Sequence, residues 1–210
     1  MSCLLKFALS LLCAGFVCVA NGQCTEMKLH DLQLEDDMKG LQIHSCDLPG
    51  CDVDYFVAEI TVNADLASVQ KVLEDVGKYN EWQEPVTDSR LVQKTSESSA
   101  IIYVRIRPEF LFFSETFKGY YKVHKTEGEG SIQYCLQLSK EHQEQNIPES
   151  DERIEESLGK WIIEEVSPDT TLIRYEFYLK PPNQPCRIVN KVSKDSIRET
   201  LLNLQKLVTG

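Results

Sequence analysis

The 210-residue sequence has few basic residues, and they do not cluster. Lys and Arg number 22 against 33 Asp and Glu, which gives a formal net charge of −11 at pH 7. Proteins that bind nucleic acid or anionic lipid surfaces by charge carry basic patches. The lack of a basic run therefore argues against nucleic acid as a partner, and the acidic balance is read mainly as a source of solubility.

The sequence also lacks the motifs of a metal centre and of common catalytic sites. It has no CxxC pair, and its four histidines are scattered: His30, His44, His124 and His142. It has no nucleophile elbow, no phosphate loop and no pair of acids in an apolar setting. We therefore expect no metal, no cofactor and no catalytic residue. An enzyme that relies on cavity shape and one acid or base would leave no such motif.

Long apolar runs are missing beyond the N-terminus, which has the features of a signal peptide. Lys6 gives a positive start, an apolar stretch runs from Phe7 to Val19, and Ala20-Asn21-Gly22 offers small residues before a cut. That stretch is short for a spanning helix, which needs about 20 residues. We expect residues 1–22 to be removed and the mature chain to be secreted, or periplasmic if bacterial. An uncleaved anchor is the alternative.

Cysteine is scarce in the expected mature chain, which would keep five: Cys24, Cys46, Cys51, Cys135 and Cys186. An exported protein can form disulfides. Cys46 and Cys51 flank a turn sequence, Asp47-Leu48-Pro49-Gly50, so a small disulfide between them is expected. An odd number leaves at least one thiol free or paired outside the chain, and the full pairing stays open.

The mature chain suits one domain with a sizeable core, over about residues 55–210. Residues 23–54 precede it. Loosely spaced apolar residues predict a helix over Gln23–Lys39, and an extended lead-in follows it. Tyr55–Val62 is the first strong strand, and Asp65 suits the N-cap of a short helix because its carboxylate can accept from free backbone N–H groups.

From Val86 onward, alternating apolar residues predict a meander of about six strands. Short turns join these strands, so the sheet should be antiparallel. The last strand, TTLIRYEFYLK, is followed by the stiff turn PPNQP. Cys186–Val208 then shows apolar residues at three- and four-residue spacing, which predicts a helix roughly 30 Å long. We predict an α+β fold in which a curved antiparallel sheet grips this helix.

The ordered set of segments resembles the START family, the steroidogenic acute regulatory protein-related lipid-transfer domains within the wider helix-grip group. The resemblance runs from about Phe56 to Val208. It rests on LASVQKVLEDVGKYNEW, the strand ending in Arg107-Pro108, Arg153 followed by GKW, and IVNKVSKDSIRETLLNLQKL with Asn190 in its opening. The chain departs from the family where many members carry an Arg-Asp pair, because the matching stretch reads Phe112-Phe113-Ser114-Glu115.

The resemblance implies a tunnel between sheet and helix that holds a lipid or sterol-like molecule, in a monomer that binds and transfers rather than catalyses. A ligand cavity is mostly apolar with a few polar groups. The candidate ligand-binding residues come from the inward faces: Ile102, Val104, Ile106, Tyr121, Tyr134, Leu136, Trp161, Ile173, Tyr175, Phe177 and Val192. The same residues would fill a solid core equally well, and alternation does not separate the two cases.

Two further interpretations stay open at this point. The apolar run Phe110, Leu111, Phe112 and Phe113 is either a lip that contacts membranes transiently or part of the core, and the core is the favoured reading. The whole protein is either a lipid binder, a cyclase/aromatase-like enzyme using the same cavity, or a ligand-free interaction domain.

Overall fold

The computed structural model describes residues 32–38, 40–47, 53–108, 115–143 and 152–210. Within these ranges lie ten strands, three α-helices and one 3-10 helix. In chain order they are β1 Gln33–Met38, β2 Leu41–Asp47, β3 Asp54–Val62, α1 Leu66–Glu74, the 3-10 helix Val76–Glu81, β4 Val86–Lys94, β5 Ser99–Ile106, β6 Phe117–Gly128, β7 Ser131–Leu138, α2 Lys140–Gln143, β8 Glu152–Arg153, β9 Glu156–Ser167, β10 Thr170–Lys180 and α3 Cys186–Thr209.

The strands form one sheet in the order β1-β2-β3-β10-β9-β7-β6-β5-β4, with β8 attached to β6. The pairings are antiparallel except that of the two-residue β8, which runs parallel to β6. Across the described ranges β1 and β4 are the two edges, so the sheet is not closed into a barrel. The predicted α+β architecture, an antiparallel sheet with a long C-terminal helix, is confirmed.

The short helix α1 begins where the sequence predicts it. Asp65 is its N-cap, and the Asp65 carboxylate accepts a 2.7 Å hydrogen bond from the backbone N–H of Ser68. Val69 and Leu73 are buried against the core. The chain then tightens into the 3-10 helix, whose Tyr79 donates its hydroxyl hydrogen to the Leu73 carbonyl, so the two helical segments are held together.

The long helix α3 lies on β2, β3 and β10 and contacts all three strands. The turn before it contains Asn183 with φ of 56°, a conformation that asparagine tolerates better than most residues. The side-chain oxygen of Asn190 accepts a 3.0 Å hydrogen bond from the Asp54 backbone N–H. Near its other end, Thr200 accepts a 3.0 Å bond from the Glu84 N–H. Both ends of the helix are thereby tied to the sheet side.

The inner face of the sheet is the face that carries the main core, α1, the 3-10 helix and α3. It has two regions. The packed wing is β2, β3 and β10 with α3 upon them. The open wing is β5, β6 and β7, which face the C-terminal end of α1 and the 3-10 helix. Side chains of both wings belong to one buried cluster. The fold therefore places a long helix over one half of the sheet and only short helical segments opposite the other.

The helix predicted over Gln23–Lys39 is wrong in its described part, where Gln33–Met38 form β1. Gly40, with φ of 80°, lets the chain reverse between Met38 and Leu41, so that β1 pairs with β2. Two acids of β1 reach α3, where Glu35 pairs with Lys194 at 3.1 Å and Asp36 with Arg198 at 2.6 Å. Tertiary pairing thus decided the conformation of a stretch with weak periodicity.

Candidate ligand cavity

A cavity of about 580 Å³ lies on the open wing, and we call it the wide cavity. It lies between β5–β7 and the α1–3-10 segment, and it opens beside the β4–β5 turn, where Lys94, Glu97 and Ser98 are exposed. Its volume falls within the range of about 300–1,000 Å³ typical of small-molecule sites. Its apolar wall consists of Leu73, Val76, Tyr79, Leu91, Ala100, Ile102, Val123, Leu136 and Trp161.

The space lies where Ala100 offers a small side chain and where no residue of the long helix α3 reaches the lining. Ala100 on β5 lies opposite Val123 on β6 in the strand register, and both line the wide cavity. The strand alternation places Ile102 and Leu136 on the same lining. Their facing partner is the end of the nine-residue α1, which lies mainly against β9 and β10 and reaches β6 through the ion pair of Glu74 with Lys125.

An aromatic cluster forms the inner end of the wide cavity. The rings of Trp161 and Tyr175 are stacked, with centroids 3.9 Å apart and planes 14° from parallel. Trp82 meets Trp161 edge-on at 5.9 Å, and Tyr79 meets Trp82 edge-on at 5.4 Å. Trp161 lines the wide cavity and Tyr175 lines the next space along the sheet. The stacked pair therefore separates two compartments with apolar, polarisable surfaces on both sides.

Two smaller spaces continue from this partition beneath α3. The middle cavity, about 70 Å³, is bounded by Tyr121, Tyr175, Phe177 and Ile197 among others. The end cavity, about 60 Å³, lies farther along, between Ile106, Phe177 and the first half of α3. Neither space holds a lipid-sized molecule without a rearrangement of its walls.

The tyrosine hydroxyls facing these spaces are neutral hydrogen-bonding groups. Burial raises the pKa of Tyr121 to about 12, and its hydrogen bond with Ser157 opposes this only in part. Burial also raises the pKa of Tyr175 far above its ordinary value, although the Gln83 amide bonded to it acts in the opposite direction. The Gln83 Oε1 atom is buried and has no partner of its own in the described part. These hydroxyls therefore stay protonated at neutral pH, so they can donate hydrogen bonds but do not serve as bases.

The Glu74 carboxylate is an ionised group held in place at the mouth of the wide cavity. Its Oε1 atom accepts hydrogen bonds from Tyr134 at 2.9 Å and from Gln70 at 3.0 Å, and it lies 2.9 Å from Lys125 Nζ. Partial burial raises the pKa of Glu74, but the hydrogen bonds from Lys125, Gln70 and Tyr134 outweigh it and leave that pKa below its ordinary value. The carboxylate is therefore charged at neutral pH.

Several solved structures have an architecture similar to that of this chain. Human StAR-related lipid transfer protein 5 superposes with a TM-score of 0.77 at 16% identity, over 85% of this chain and 86% of that one. A STAR-related lipid transfer protein from Xanthomonas axonopodis gives 0.75 at 19%, over 85% and 99%. Human STARD10 gives 0.74 at 14%, over 85% and 73%.

This chain has the START fold. The resemblance predicted from the order of its segments is confirmed at the level of the fold, which is what likeness at these identities shows. No protein-family model matches the chain, and no curated protein matches it significantly.

Most residues predicted from sequence as ligand-binding line one of the three spaces in this START fold. The wide cavity takes Ile102, Tyr134, Leu136 and Trp161. The middle cavity takes Val104, Ile106, Tyr121, Tyr175 and Phe177, with Leu136 shared. Val192 lies in the end cavity. Ile173 lines none of the three spaces and is fully buried in the main core. That these residues bind a ligand stays a prediction.

Sequence reasoning missed the polar rim, namely Glu74 and Lys125. Lys125 was detectable, since Tyr121, Val123 and Lys125 alternate along β6 and so share a face of the sheet. Glu74 was not, because its closeness to Tyr134, 60 residues away, depends on how the end of α1 meets β7. Local periodicity cannot predict such a contact between distant residues.

Several predictions fall outside the described residues and stay predictions. They are the signal peptide over residues 1–22, the lip at Phe110–Phe113, and the disulfide of Cys46 in β2 with Cys51, since Cys51 is not among the described residues. Among the described residues, no three His, Cys, Asp or Glu side chains are grouped to hold a metal ion. No helix in those same ranges has both the length and the apolar character needed to span a membrane.

Proposed function

We propose that this protein binds a lipid or another amphipathic small molecule in the wide cavity. The observation that carries the proposal is a space of about 580 Å³ with an apolar wall and a polar rim on the inner face of the sheet. Sites for small molecules combine these features: mostly apolar lining with a few polar groups that orient the guest. The resemblance in fold to proteins named for lipid transfer supports the choice of a lipid.

The wider part of the proposal concerns where the protein acts and what it does with its ligand. The N-terminal pattern of Lys6, an apolar stretch and Ala20-Asn21-Gly22 supports export of the mature chain. An exported binder of a poorly soluble molecule would act as a monomeric carrier that transfers its ligand between surfaces. Transfer is tested by the rate at which the protein moves a fluorescent lipid between two vesicle populations.

The test of binding is native mass spectrometry of the chain from Gln23, purified from a lipid-rich host, followed by organic extraction. A retained lipid-sized adduct is the expected result. The variant Ala100→Phe with Val123→Phe places two rings opposite each other across β5 and β6 and narrows the wide cavity. We expect it to lose at least about nine-tenths of the adduct.

The matched control is Val166→Phe, because Val166 is 62% exposed and lies away from the wide cavity. It should keep the full adduct. A bare mass for the unaltered chain, with no uptake of offered sterols or phospholipids, would overturn the binding proposal. Equal adducts in the narrowed variant and the control would place the ligand elsewhere in the molecule.

A further inference from the structure

The Glu74 carboxylate is held in one orientation at the mouth of the wide cavity. Its Oε1 atom accepts hydrogen bonds from Gln70 of its own helix and from Tyr134 of β7, and it forms an ion pair with Lys125 of β6. Three donors converging from three elements leave this oxygen with little freedom. Within the described residues, every hydrogen bond and ion pair of Glu74 goes to Oε1, and Oε2 receives no donor. The carboxylate is thus held through Oε1, while Oε2 can still accept a hydrogen bond.

The charges around this oxygen favour one kind of partner. Lys125 lies 2.9 Å from Glu74 and 2.6 Å from Glu127, so two carboxylates compensate its single positive charge. Elsewhere on the rim the charges are balanced, because Asp75 is paired with Lys78 at 3.3 Å and Glu97 is accompanied by Lys94. A group entering the mouth therefore meets a net negative field and an acceptor, both of which disfavour an anionic ligand.

We propose that Glu74 determines the ligand class of the wide cavity: an amphipath whose polar end is a hydroxyl or ammonium that donates to Glu74 Oε2, with its apolar body against Trp161, Ile102 and Leu136. Fatty acids and other amphipaths with anionic ends bind more weakly. This inference rests on the proposed function, since it names the ligand chemistry of the same cavity. The pKa of Glu74, which is held below its ordinary value, keeps the acceptor charged at neutral pH.

The test uses four probes with one ten-carbon chain and different ends: decan-1-ol, decylamine, decyl methyl ether and decanoate. Binding at pH 7.5 is followed by intrinsic fluorescence, because Trp82 and Trp161 are the only tryptophans and both lie in the aromatic cluster. We expect the alcohol and the amine to bind about tenfold more tightly than the ether and decanoate. That ratio is about the size of one hydrogen bond to a charged group.

Two variants at Glu74 separate the hydrogen bond from the charge. Glu74→Gln removes the charge, so the amine should lose its tenfold advantage while decanoate binding improves. Glu74→Asp keeps the charge but withdraws the oxygen by one methylene, so the alcohol should lose its advantage and the amine should keep most of it. Glu165→Gln is the control: it makes the same charge change at an exposed side chain outside the wide cavity, and it should shift each ratio less than twofold.

The outcomes separate this inference from the proposed function. If no probe binds the unaltered protein, both proposals fail. If all four probes bind it with equal affinity, the cavity takes ligands but Glu74 does not select them. If Glu74→Gln lowers only the melting temperature and leaves every binding ratio unchanged, the cluster merely braces α1 against the sheet, and the inference is overturned.

Discussion

The packed wing and the open wing are built from strands with the same kind of sequence and end in different states. On the packed wing, Ile43, Ala58 and Ile173 are fully buried. On the open wing, Val123 and Leu136 are only half-buried and border about 580 Å³ of space. Alternation of apolar residues thus makes an inner face in both places, and the partner laid on that face decides whether it is filled.

The partners differ in length and in what they touch. α3 has 24 residues and brings Ile197, Leu201 and Leu204 onto β2, β3 and β10. α1 has 9 residues and lies mainly against β9 and β10, and its last buried side chain, Leu73, only borders the wide cavity. A helix rises about 1.5 Å per residue, so the shorter one cannot cover the strands beyond. The Trp161–Tyr175 stack marks the border between the two regions.

The largest expected difference comes from the same truncation made in each wing. Leu201→Ala, at a fully buried site on α3, should lower the free energy of unfolding by about 3 kcal/mol, because it opens a void that neighbours cannot close. Leu136→Ala, at the wall of the wide cavity, should cost about 1 kcal/mol, since its side chain already has space beside it. Urea unfolding measures both values. Equal losses would contradict the conclusion that the packed wing is filled and the open wing is not.

Replacing an alanine by leucine should change the free energy of unfolding less than these truncations do. It should destabilise the packed wing and leave the open wing nearly unchanged. Ala58→Leu, between Ile43 and Tyr175 in the strand register, should destabilise by about 2 kcal/mol through overpacking. Ala100→Leu extends into the wide cavity and should stay within about 0.5 kcal/mol of the unaltered protein. Thermal and urea unfolding measure the pair, and a large loss for Ala100→Leu would mean that the space is not there in solution.

The smallest expected effect is the loss of stability from a substitution at Glu74, on the open wing, and this loss should depend on pH. Glu74→Gln should cost less than about 1 kcal/mol at pH 7, because the Glu74 side chain is 44% exposed and solvent screens its contacts. The folded-state pKa of Glu74 is lowered. Its contribution is therefore present above the unfolded value of about 4.3 and disappears as the pH falls through the lower folded value.

Urea unfolding at pH 7 and at pH 3 measures this contribution. The loss from Leu201→Ala, which involves no ionisable group, should be the same at both pH values and serves as the control. The groups that face Glu74, namely Lys125, Glu127, Asp75 and Tyr134, are unchanged in both proteins. A cost of Glu74→Gln that grows at low pH would contradict the assigned direction.

Local pattern predicted the elements well wherever it was strong. The predicted meander begins at Val86, where β4 begins, and the predicted helix Cys186–Val208 differs from α3 by one residue. The pattern failed at β1, where periodicity was weak and pairing with β2 decided the structure. It also gave no reason to bury Glu176, which alternation places opposite the core. That residue is fully buried beside Tyr55, whose hydroxyl donates to it.

The sequence by itself determined the order of strands and helices, the inward residues of each strand and, through their combination, the START-like fold. Those features depend on contacts within a few residues and on which side chains avoid water. Only the tertiary structure decided which inner face is filled, and which polar groups meet at its mouth. Packing volume and the meeting of Glu74 with Tyr134 depend on how distant segments come together, and neither leaves a trace in the spacing of residues along the chain.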